Sequence, residues 1–261
     1  MKRITAITSV FKASQYLPGF MEDIVDQTAF DQCQWYLLDA ASPENEFSII
    51  EPYLKYDNIK YERLEEDPGI YACWNHMIEN SDSEYITNAN TDDRLFPEFI
   101  EKMVEALDEN PDRDLVYAEN IMSNNPTDSY KNYTEDTEAL LYPCGPFDRR
   151  NMIKHNYPHC HPAWRRSLHD RFGMFDPKYK SAGDYEFWLR CLDGGVKDFL
   201  YLPEVLAIYY FNPEGLSTDR EDLVERKKQE IEIKNKYINS IYRKPGDDIE
   251  IYIDPNGVMR T

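Results

Sequence analysis

The stretch Tyr85-Ile86-Thr87-Asn88-Ala89-Asn90-Thr91-Asp92-Asp93-Arg94 leads from an apolar segment into two adjacent carboxylates. Apolar residues then recur at helical spacing from Phe96 to Leu107. Two carboxylates that follow a buried strand repel each other and lose hydration, so the pair persists where a cation or several hydrogen-bond donors lie between them. Oxygen ligands of this kind suit Mg²⁺ or Mn²⁺. The alternative is a solvated turn in which Asp92 or Asp93 caps the following helix.

Outward from that stretch, the first half of the chain alternates strands with helices. The predicted strands are Ile4–Phe11, Trp35–Leu38, Ile59–Tyr61, Tyr85–Thr87 and Leu115–Ala118, and the predicted helices are Tyr16–Thr28, Glu46–Leu54, Ile70–Glu79 and Phe96–Leu107. Repeated βα units indicate the α/β class, with a Rossmann-like, mostly parallel central sheet flanked by helices. Because ligands bind beyond the carboxyl ends of such strands, we expect residues 8–11, 39–42 and 90–93 on one rim.

The second half is less regular. Residues 119–146 have little periodicity and predict a long loop of the kind that forms a lid. A helix is expected around Tyr185–Leu192, followed by two adjacent strands at Phe199–Leu202 and Val205–Phe211 and by a charged helix over Arg220–Tyr242. We therefore predict one domain over residues 1–217, with a C-terminal helical extension and tail over 218–261 packed on it.

The charge balance limits the possible partners. The 261 residues include 29 Lys and Arg against 49 Asp and Glu, a net charge of −20. This surplus opposes contact with a phosphate backbone and excludes nucleic acid as a partner. Between Phe147 and Lys180, however, eight basic residues outnumber three acidic ones, so an anionic ligand would be tolerated there.

Cysteine and histidine spacing indicates neither disulfides nor zinc. The five cysteines are odd in number and form no C-x-x-C pair, and the four histidines between His155 and His169 match no zinc-ligand pattern. No apolar run approaches the roughly 20 residues that span a bilayer. We expect no transmembrane segment and a cytoplasmic location.

Five sequence blocks carry a family resemblance that composition does not reveal. They are Ile4–Phe11, Leu38–Ser42, Asp67–Tyr71 with Asn75, Asn90–Asp93 and Gly183–Arg190. In order and spacing they resemble family 2 glycosyltransferases, from about Ile4 to Ser217. The resemblance implies the GT-A fold and transfer of a sugar from a nucleotide-sugar donor with inversion at the anomeric carbon.

The resemblance also implies a donor site. Asp39 resembles the aspartate that accepts a hydrogen bond from the nucleobase, which favours uracil and hence a UDP-sugar such as UDP-glucose. Ala40 stands where many relatives carry a second Asp, so thymidine and guanosine donors stay open. The other positions matched to nucleotide-sugar binding are Thr8, Val10, Asp67, Asn90, Thr91 and Asp92, with Asp92 at the ribose. Without the resemblance, Asp39 and Asp67 would be interpreted as turn or cap residues.

For the chemistry, the resemblance matches Asp93 to the ligand of Mn²⁺ or Mg²⁺, which neutralises charge on the departing diphosphate. Asp184 matches the general base that takes the proton of the acceptor hydroxyl. Gly183 stands where the family usually has Glu. Asp184 alone would otherwise be interpreted as a helix N-cap. His161, Trp164 and Arg165 are expected on the acceptor side, where aromatic rings stack on sugars and cations donate to hydroxyls or phosphate.

The expected enzyme makes one transfer per encounter with a carbohydrate or lipid-linked acceptor, because the sequence has no Q-x-x-R-W motif and no membrane helices. Two alternatives remain. A sugar nucleotidyltransferase would share the metal site, but it would open with a Gly-rich loop, and Thr8–Ala13 contains no glycine. A non-catalytic carbohydrate-binding relative would share the fold, although retention of Asp39, Asp92, Asp93 and Asp184 together argues for activity.

Overall fold

A nine-stranded mixed sheet forms the centre of the computed structural model, which describes residues 1–132, 140–142, 145–216, 218, 223–243 and 250–261. The strands are β1 Ile4–Val10, β2 Cys33–Asp39, β3 Ile59–Arg63, β4 Tyr85–Asn88, β5 Arg94–Leu95, β6 Leu115–Ser123, β7 Leu140–Tyr142, β8 Ala163–Arg165, β9 Leu200–Tyr210, β10 Tyr252–Ile253 and β11 Met259–Arg260. The helices are α1 Leu17–Val25, α2 Phe47–Ile50, α3 Ile70–Glu79, α4 Phe99–Glu109, α5 Ser167–Phe172, α6 Gly183–Asp193 and α7 Leu223–Ile241.

The sheet runs in the order β3-β2-β1-β4-β8-β6-β9-β5, with β7 beside β6. The strands β3, β2, β1 and β4 are parallel, as are β6 and β9. Because β8 is antiparallel to both β4 and β6, these two parallel groups point the same way. Six strands therefore share one direction, which confirms the predicted α/β class. The sequence did not predict β8 between β4 and β6.

The predicted elements of the first half are confirmed, whereas two predictions for the second half are wrong. Strand β6 continues to Ser123 and pairs with β7, so the expected loop over 119–146 begins as sheet; residues 133–139 and 143–144 of that loop lie outside the described residues. The expected strand pair after residue 199 is one strand, β9. Its register against β6 shifts between Leu202 and Val205, so Pro203 lies at a bulge where no ladder hydrogen bond is required.

Both faces of the sheet are buried. Trp35 and Leu37 of β2 pack in a cluster with α1 and α4, whereas the alternating Tyr36 and Leu38 pack in a second cluster with α3, α6 and α7. Side chains alternate across a strand, and a sheet covered on both faces is apolar at nearly every position. This burial leaves the ends of the strands as the places where polar groups can collect.

Helix α7 packs against α6 through a buried carboxylate. Glu186, 1% exposed, accepts hydrogen bonds from Tyr237 Oη at 2.5 Å, from Lys236 Nζ at 2.9 Å and from Arg190 Nη2 at 2.6 Å. Three donors, two of them cationic, compensate the burial of one carboxylate. The boundary predicted after residue 217 stays a prediction, since Ser217 and residues 219–222 lie outside the described residues.

A second buried ion pair fixes the segment that follows the double aspartate. Asp23 of α1 is fully buried and accepts from Arg94 Nε at 2.6 Å, from Arg94 Nη2 at 2.7 Å and from the backbone N–H of Leu95 at 3.1 Å. The guanidinium reaches this position by passing over Gly19, where a Cβ would lie 2.7 Å from Arg94 Nη1. Helix α1 therefore anchors β5, directly after Asp93.

We predict that Asp23→Asn lowers the free energy of unfolding by about 3–5 kcal/mol, because it leaves the Arg94 guanidinium buried without its counter-ion. Urea unfolding followed by fluorescence measures this loss. The matched control is Glu204→Gln, since Glu204 pairs with Lys102 at 3.2 Å on the surface and solvent screens that pair. Equal midpoints for wild type and Asp23→Asn would contradict the anchoring role.

Candidate active site

A cleft with a volume of about 1870 Å³ opens beyond the carboxyl ends of the parallel strands. Pockets for a single small ligand are roughly 300–1,000 Å³, so the cleft has room for a donor and an acceptor together. Six of the residues expected from the sequence line it, namely Asp67, Asn90, Thr91, Asp92, Asp93 and Asp184. The rim predicted from the strand order is confirmed for residues 90–93.

The double aspartate lies at the floor of this cleft. Asp93 is 2% exposed; its Oδ1 accepts from the backbone N–H of Tyr210 at 2.9 Å and its Oδ2 from Asn90 Nδ2 at 2.9 Å. Asp92 Oδ2 accepts from Asn212 Nδ2 at 2.9 Å. Burial, followed by the charge of Asp93, raises the pKa of Asp92 to about 6. Neutral donors surround the pair, and the arrangement favours a cation.

The cap interpretation of this pair is wrong. Strand β5 follows the aspartates directly, and α4 begins only at Phe99, where no side chain makes a capping hydrogen bond. The two carboxylates are therefore available for another role.

His161 lies beside Asp93, not on the acceptor side where the sequence analysis placed it. Its ring is buried, with Nε2 3.1 Å from Asp93 Oδ2 and Nδ1 3.3 Å from Asn120 Oδ1. Nε2 has no hydrogen-bond partner of suitable geometry within the described residues, although Asp93 is close. The reason for the correction is topological, because His161 precedes β8 and so lies at the end of the sheet where β4 finishes.

Trp164 and Arg165 do not reach the cleft, so their expected acceptor role is corrected as well. Strand β8 runs away from the cleft, and Arg165 pairs in register with Tyr85, at the far end of β4. Trp164 is fully buried and packs edge-on against Trp188, while Arg165 donates to the carbonyls of Leu107 and Arg113.

Asp184 lies in the same cleft as the double aspartate. Its Oδ1 accepts from Tyr71 Oη at 2.9 Å and its Oδ2 from Asn156 Nδ2 at 2.8 Å. Burial raises the pKa of Asp184 above the ordinary aspartate value, and the two hydrogen bonds oppose that shift. Helix α6 begins at Gly183 after Ala182, with no side-chain cap, so the interpretation of Asp184 as an N-cap is wrong.

The glycine before this aspartate has a structural cause. A Cβ at Gly183 would lie 2.7 Å from Cδ2 of the Tyr71 ring. Any side chain at position 183 would push away the ring whose hydroxyl holds Asp184. Here Tyr71 occupies the space beside the carboxylate, and the glycine accommodates it.

Asp39 is turned away from the cleft. It is fully buried, with Oδ1 accepting from the backbone N–H of Ser42 at 2.8 Å and Oδ2 accepting from Tyr61 Oη at 2.7 Å and from the Arg63 guanidinium. This geometry agrees with the turn interpretation of Asp39. A direct contact with a nucleobase would require one of these donors to leave, so the base contact stays a prediction.

The side chains of Thr8 and Val10 are also buried and do not line the cleft, whereas their neighbours Ser9 and Phe11 do. Alternation along β1 explains the difference, since the two sets of side chains point to opposite faces. Asp67 does reach the cleft, and its Oδ1 accepts from the backbone N–H of Gly69 at 2.8 Å in the turn that the sequence indicates.

The basic segment between Phe147 and Lys180 divides in the fold. Its lysines line the cleft, joined there by Arg226 and Lys234 of α7. Its arginines lie elsewhere, with Arg149 donating to carbonyls near the end of α6 and Arg171 paired with Asp114. The segment therefore supplies only part of the cationic wall.

Sequence reasoning missed four residues that hold the carboxylates, namely Tyr71, Asn156 and Asn212 through their side chains and Tyr210 through its backbone N–H. Tyr71 belongs to a block that was recognised but not assigned a role. The rule that sites lie at the carboxyl ends of strands could have identified Tyr210 and Asn212 after β9. Asn156 lies in an irregular segment and carries no signal.

Two observations concern metals and membranes. Within the described residues, no group of three or more His, Cys, Asp or Glu side chains could hold a metal ion, so a cation in this cleft would have at most two such ligands. No helix in the described ranges is long and apolar enough to cross a bilayer.

Comparison with solved structures identifies the fold. The S. aureus protein TarS, residues 1–349 with UDP-GlcNAc, matches 92% of this chain and 71% of that chain, with a TM-score of 0.68 and 17% identity. The mannosyltransferase PcManGT of Pyrobaculum calidifontis, solved with GDP-Man and Mn²⁺, matches 91% of this chain and 69% of that chain, with a TM-score of 0.64 and 16% identity. The chain has the GT-A fold.

Among curated proteins, Protein CgeD of Bacillus subtilis is 24% identical over 230 residues, which cover 82% of this chain and 51% of CgeD. The chain thus spans about half the length of that relative. A family model described as Glycosyl transferase family 2 matches residues 5–172, more than half of the chain and including the double aspartate. The chain therefore belongs to glycosyltransferase family 2.

Proposed function

We propose that this enzyme transfers a sugar from a UDP-sugar to an acceptor hydroxyl, with inversion, dependence on Mn²⁺ or Mg²⁺, and one transfer per encounter. The observation that carries the proposal is one cleft that contains two adjacent carboxylates, Asp92 and Asp93, and a separate carboxylate, Asp184, whose two oxygens each accept one hydrogen bond. UDP-glucose is the first donor to test. The solved relatives TarS and PcManGT carry UDP-GlcNAc and GDP-Man, respectively, so the base must be measured.

The double aspartate fits a divalent cation. Asp92, half-buried, and Asp93, buried, lie side by side in the cleft, and their hydrogen-bond donors are neutral. Oxygen-rich sites of this kind suit Mg²⁺ and Mn²⁺. Asp93 would hold the ion and Asp92 would bind the donor. When bound, the cation stabilises negative charge on the departing diphosphate.

Asp184 would act as the general base. It accepts the proton of the acceptor hydroxyl while that oxygen bonds to the anomeric carbon and the bond from that carbon to the diphosphate breaks. One carboxylate suffices for this single displacement, which inverts the anomeric centre; retention through a covalent intermediate would need a second. Tyr71 and Asn156 orient both oxygens of Asp184, and its raised pKa makes it a better proton acceptor near neutral pH.

The wall beside Asp184 supports an acceptor that carries negative charge. Lys234 of α7 lies 6.0 Å from the Tyr185 ring, and the backbone N–H of Lys180 donates to Gln229 of the same helix. Lys234 and Arg226 are each paired with Glu230 of α7, so the cations that this wall offers to an acceptor are Lys154 and Lys180. We propose a carbohydrate or lipid-linked acceptor bearing phosphate or carboxylate.

A cytoplasmic location also stays a proposal, supported by four free, buried cysteines.

For the donor site, we predict that Mn²⁺ strengthens UDP binding and that Asp93→Asn reduces this gain at least about tenfold, because a ligand is lost. The amide oxygen can still accept from Tyr210, so the variant should fold. Calorimetric titration of UDP with Mn²⁺ and with EDTA measures the effect, with the exposed Asp82→Asn as control. Equal UDP affinity in Mn²⁺ and in EDTA for wild type would contradict the assignment.

For the general base, we predict that Asp184→Asn lowers the transfer rate by about 10²- to 10⁴-fold, because the amide cannot accept the proton. The UDP dissociation constant should be unchanged, since Asp184 would contact the acceptor and not the nucleotide. Initial rates and UDP titration on the same preparation separate the two effects. Near-normal transfer rules out the role as base, and equal loss of both quantities recasts Asp184 as a donor-site residue.

For the positioning of that base, we predict that Tyr71→Phe moves the acidic limb of the pH–rate profile to higher pH. The Tyr71 hydroxyl stabilises the ionised form of Asp184 and lowers its pKa, so removing it raises that pKa and protonates the base at higher pH. The control is Tyr36→Phe, which removes a hydroxyl bonded to Glu62 instead. An unshifted limb in Tyr71→Phe would show that Tyr71 does not tune Asp184.

A further inference from the structure

We infer that His161 is the second protein ligand of the cation held by Asp93, binding through Nε2. The inference rests on the metal dependence of the proposed function and goes beyond it, since it assigns a nitrogen ligand and hence a preference among metals. It also gives a role to a histidine that the sequence analysis had placed on the acceptor side.

The tautomer of His161 supports ligation. Asn120 donates from Nδ2 to the carbonyl of Ala118 at 3.5 Å, which turns its Oδ1 toward His161 Nδ1, 3.3 Å away. An amide oxygen accepts, so Nδ1 carries the hydrogen and Nε2 presents its lone pair. Metal-binding histidines are commonly oriented in this way, by a hydrogen bond from the ring nitrogen that does not bind the metal.

The Nε2 lone pair faces a carboxylate oxygen of Asp93, and this arrangement is repulsive unless a cation lies between the two atoms. Nε2 is buried, has no hydrogen-bond partner of suitable geometry in the described part of the chain, and lies 3.1 Å from Asp93 Oδ2. A lone pair and a carboxylate oxygen repel each other at this distance. A cation bound to both atoms removes the repulsion and satisfies the ring nitrogen.

The separation of the two atoms matches adjacent ligands of one ion. Octahedral Mg²⁺ binds its ligands at about 2.0–2.1 Å, which places neighbouring ligands roughly 3 Å apart. The distance of 3.1 Å between His161 Nε2 and Asp93 Oδ2 agrees with such an edge. With only Asp93 and His161 supplied by the protein, diphosphate oxygens and water would complete the shell, so tight binding would require the nucleotide.

An imidazole ligand also predicts which ion is used. Both Mn²⁺ and Mg²⁺ accept carboxylate and water oxygens, but the transition ion Mn²⁺ binds an imidazole nitrogen more readily than Mg²⁺ does. The site should therefore prefer Mn²⁺ to Mg²⁺. The competing explanation of the same contact is an imidazolium paired with Asp93, which would need no metal at all.

Pulsed electron paramagnetic resonance of the protein with Mn²⁺ and UDP tests the inference directly. A histidine nitrogen bound to Mn²⁺ modulates the electron spin echo at nitrogen frequencies, and an oxygen-only shell does not. We expect this modulation in wild type and in His159→Gln, which removes the neighbouring histidine, and its loss in His161→Gln. Mn²⁺ affinity with UDP should fall at least about tenfold in His161→Gln, and excess Mg²⁺ should displace Mn²⁺ more readily from that variant.

The outcomes are distinct. Wild type that binds Mn²⁺ through Asp93 but shows no nitrogen modulation overturns the His161 inference and leaves the proposed function intact. Wild type that binds no Mn²⁺ with UDP overturns the metal dependence itself. If His161→Gln fails to fold by thermal denaturation, the comparison of wild type with ¹⁵N-histidine-labelled wild type and with His159→Gln still decides whether a histidine binds the ion.

Discussion

The site depends on one electrostatic constraint, which is the placement of two adjacent carboxylates, Asp93 buried and Asp92 half-buried, at the end of a strand. Asp92 and Asp93 are held by an asparagine side chain on each side and by a backbone N–H, and no Lys or Arg lies among their hydrogen-bond partners in the described residues. Burial, and after it the charge of Asp93, raises the pKa of Asp92, which agrees with this imbalance. A positive charge from outside the chain would relieve it, and the proposed nucleotide-sugar with its cation would bring one.

The ends of several strands meet at this site, and each supplies a residue that contacts the aspartates. The aspartates follow strand β4. The end of β9 supplies the backbone N–H of Tyr210 and the side-chain amide of Asn212 that hold them. The antiparallel β8 brings His161 to the same point because it starts where β4 stops. Helix α1, through Asp23 and Arg94, fixes the chain immediately after the pair. Asp184 comes from the start of α6, so the proposed metal-binding residues and the proposed base lie on separate elements that face one cleft.

Much of the fold could be predicted, because apolar periodicity reports burial and the first half buries its strands on both faces. The place of Asp92 and Asp93 in the cleft could be predicted because adjacent carboxylates after an apolar strand are unusual, whereas Asp184 was matched only through the family resemblance, since its pattern alone predicts a helix cap. His161, Trp164 and Arg165 could not be placed, because nothing in the sequence reveals that β8 runs antiparallel between β4 and β6. The requirement for glycine at position 183 could not be predicted, because it arises from the close contact of Gly183 with the Tyr71 ring, which only the structure reveals.

The measurement that tests this account most directly is anomalous diffraction from crystals grown with UDP and Mn²⁺. The account predicts a manganese peak bonded to Asp93 Oδ2 and His161 Nε2, with the diphosphate oxygens of UDP on the same ion and Asp184 across the cleft. A nucleotide bound without manganese at the double aspartate, or bound away from it, would contradict the account.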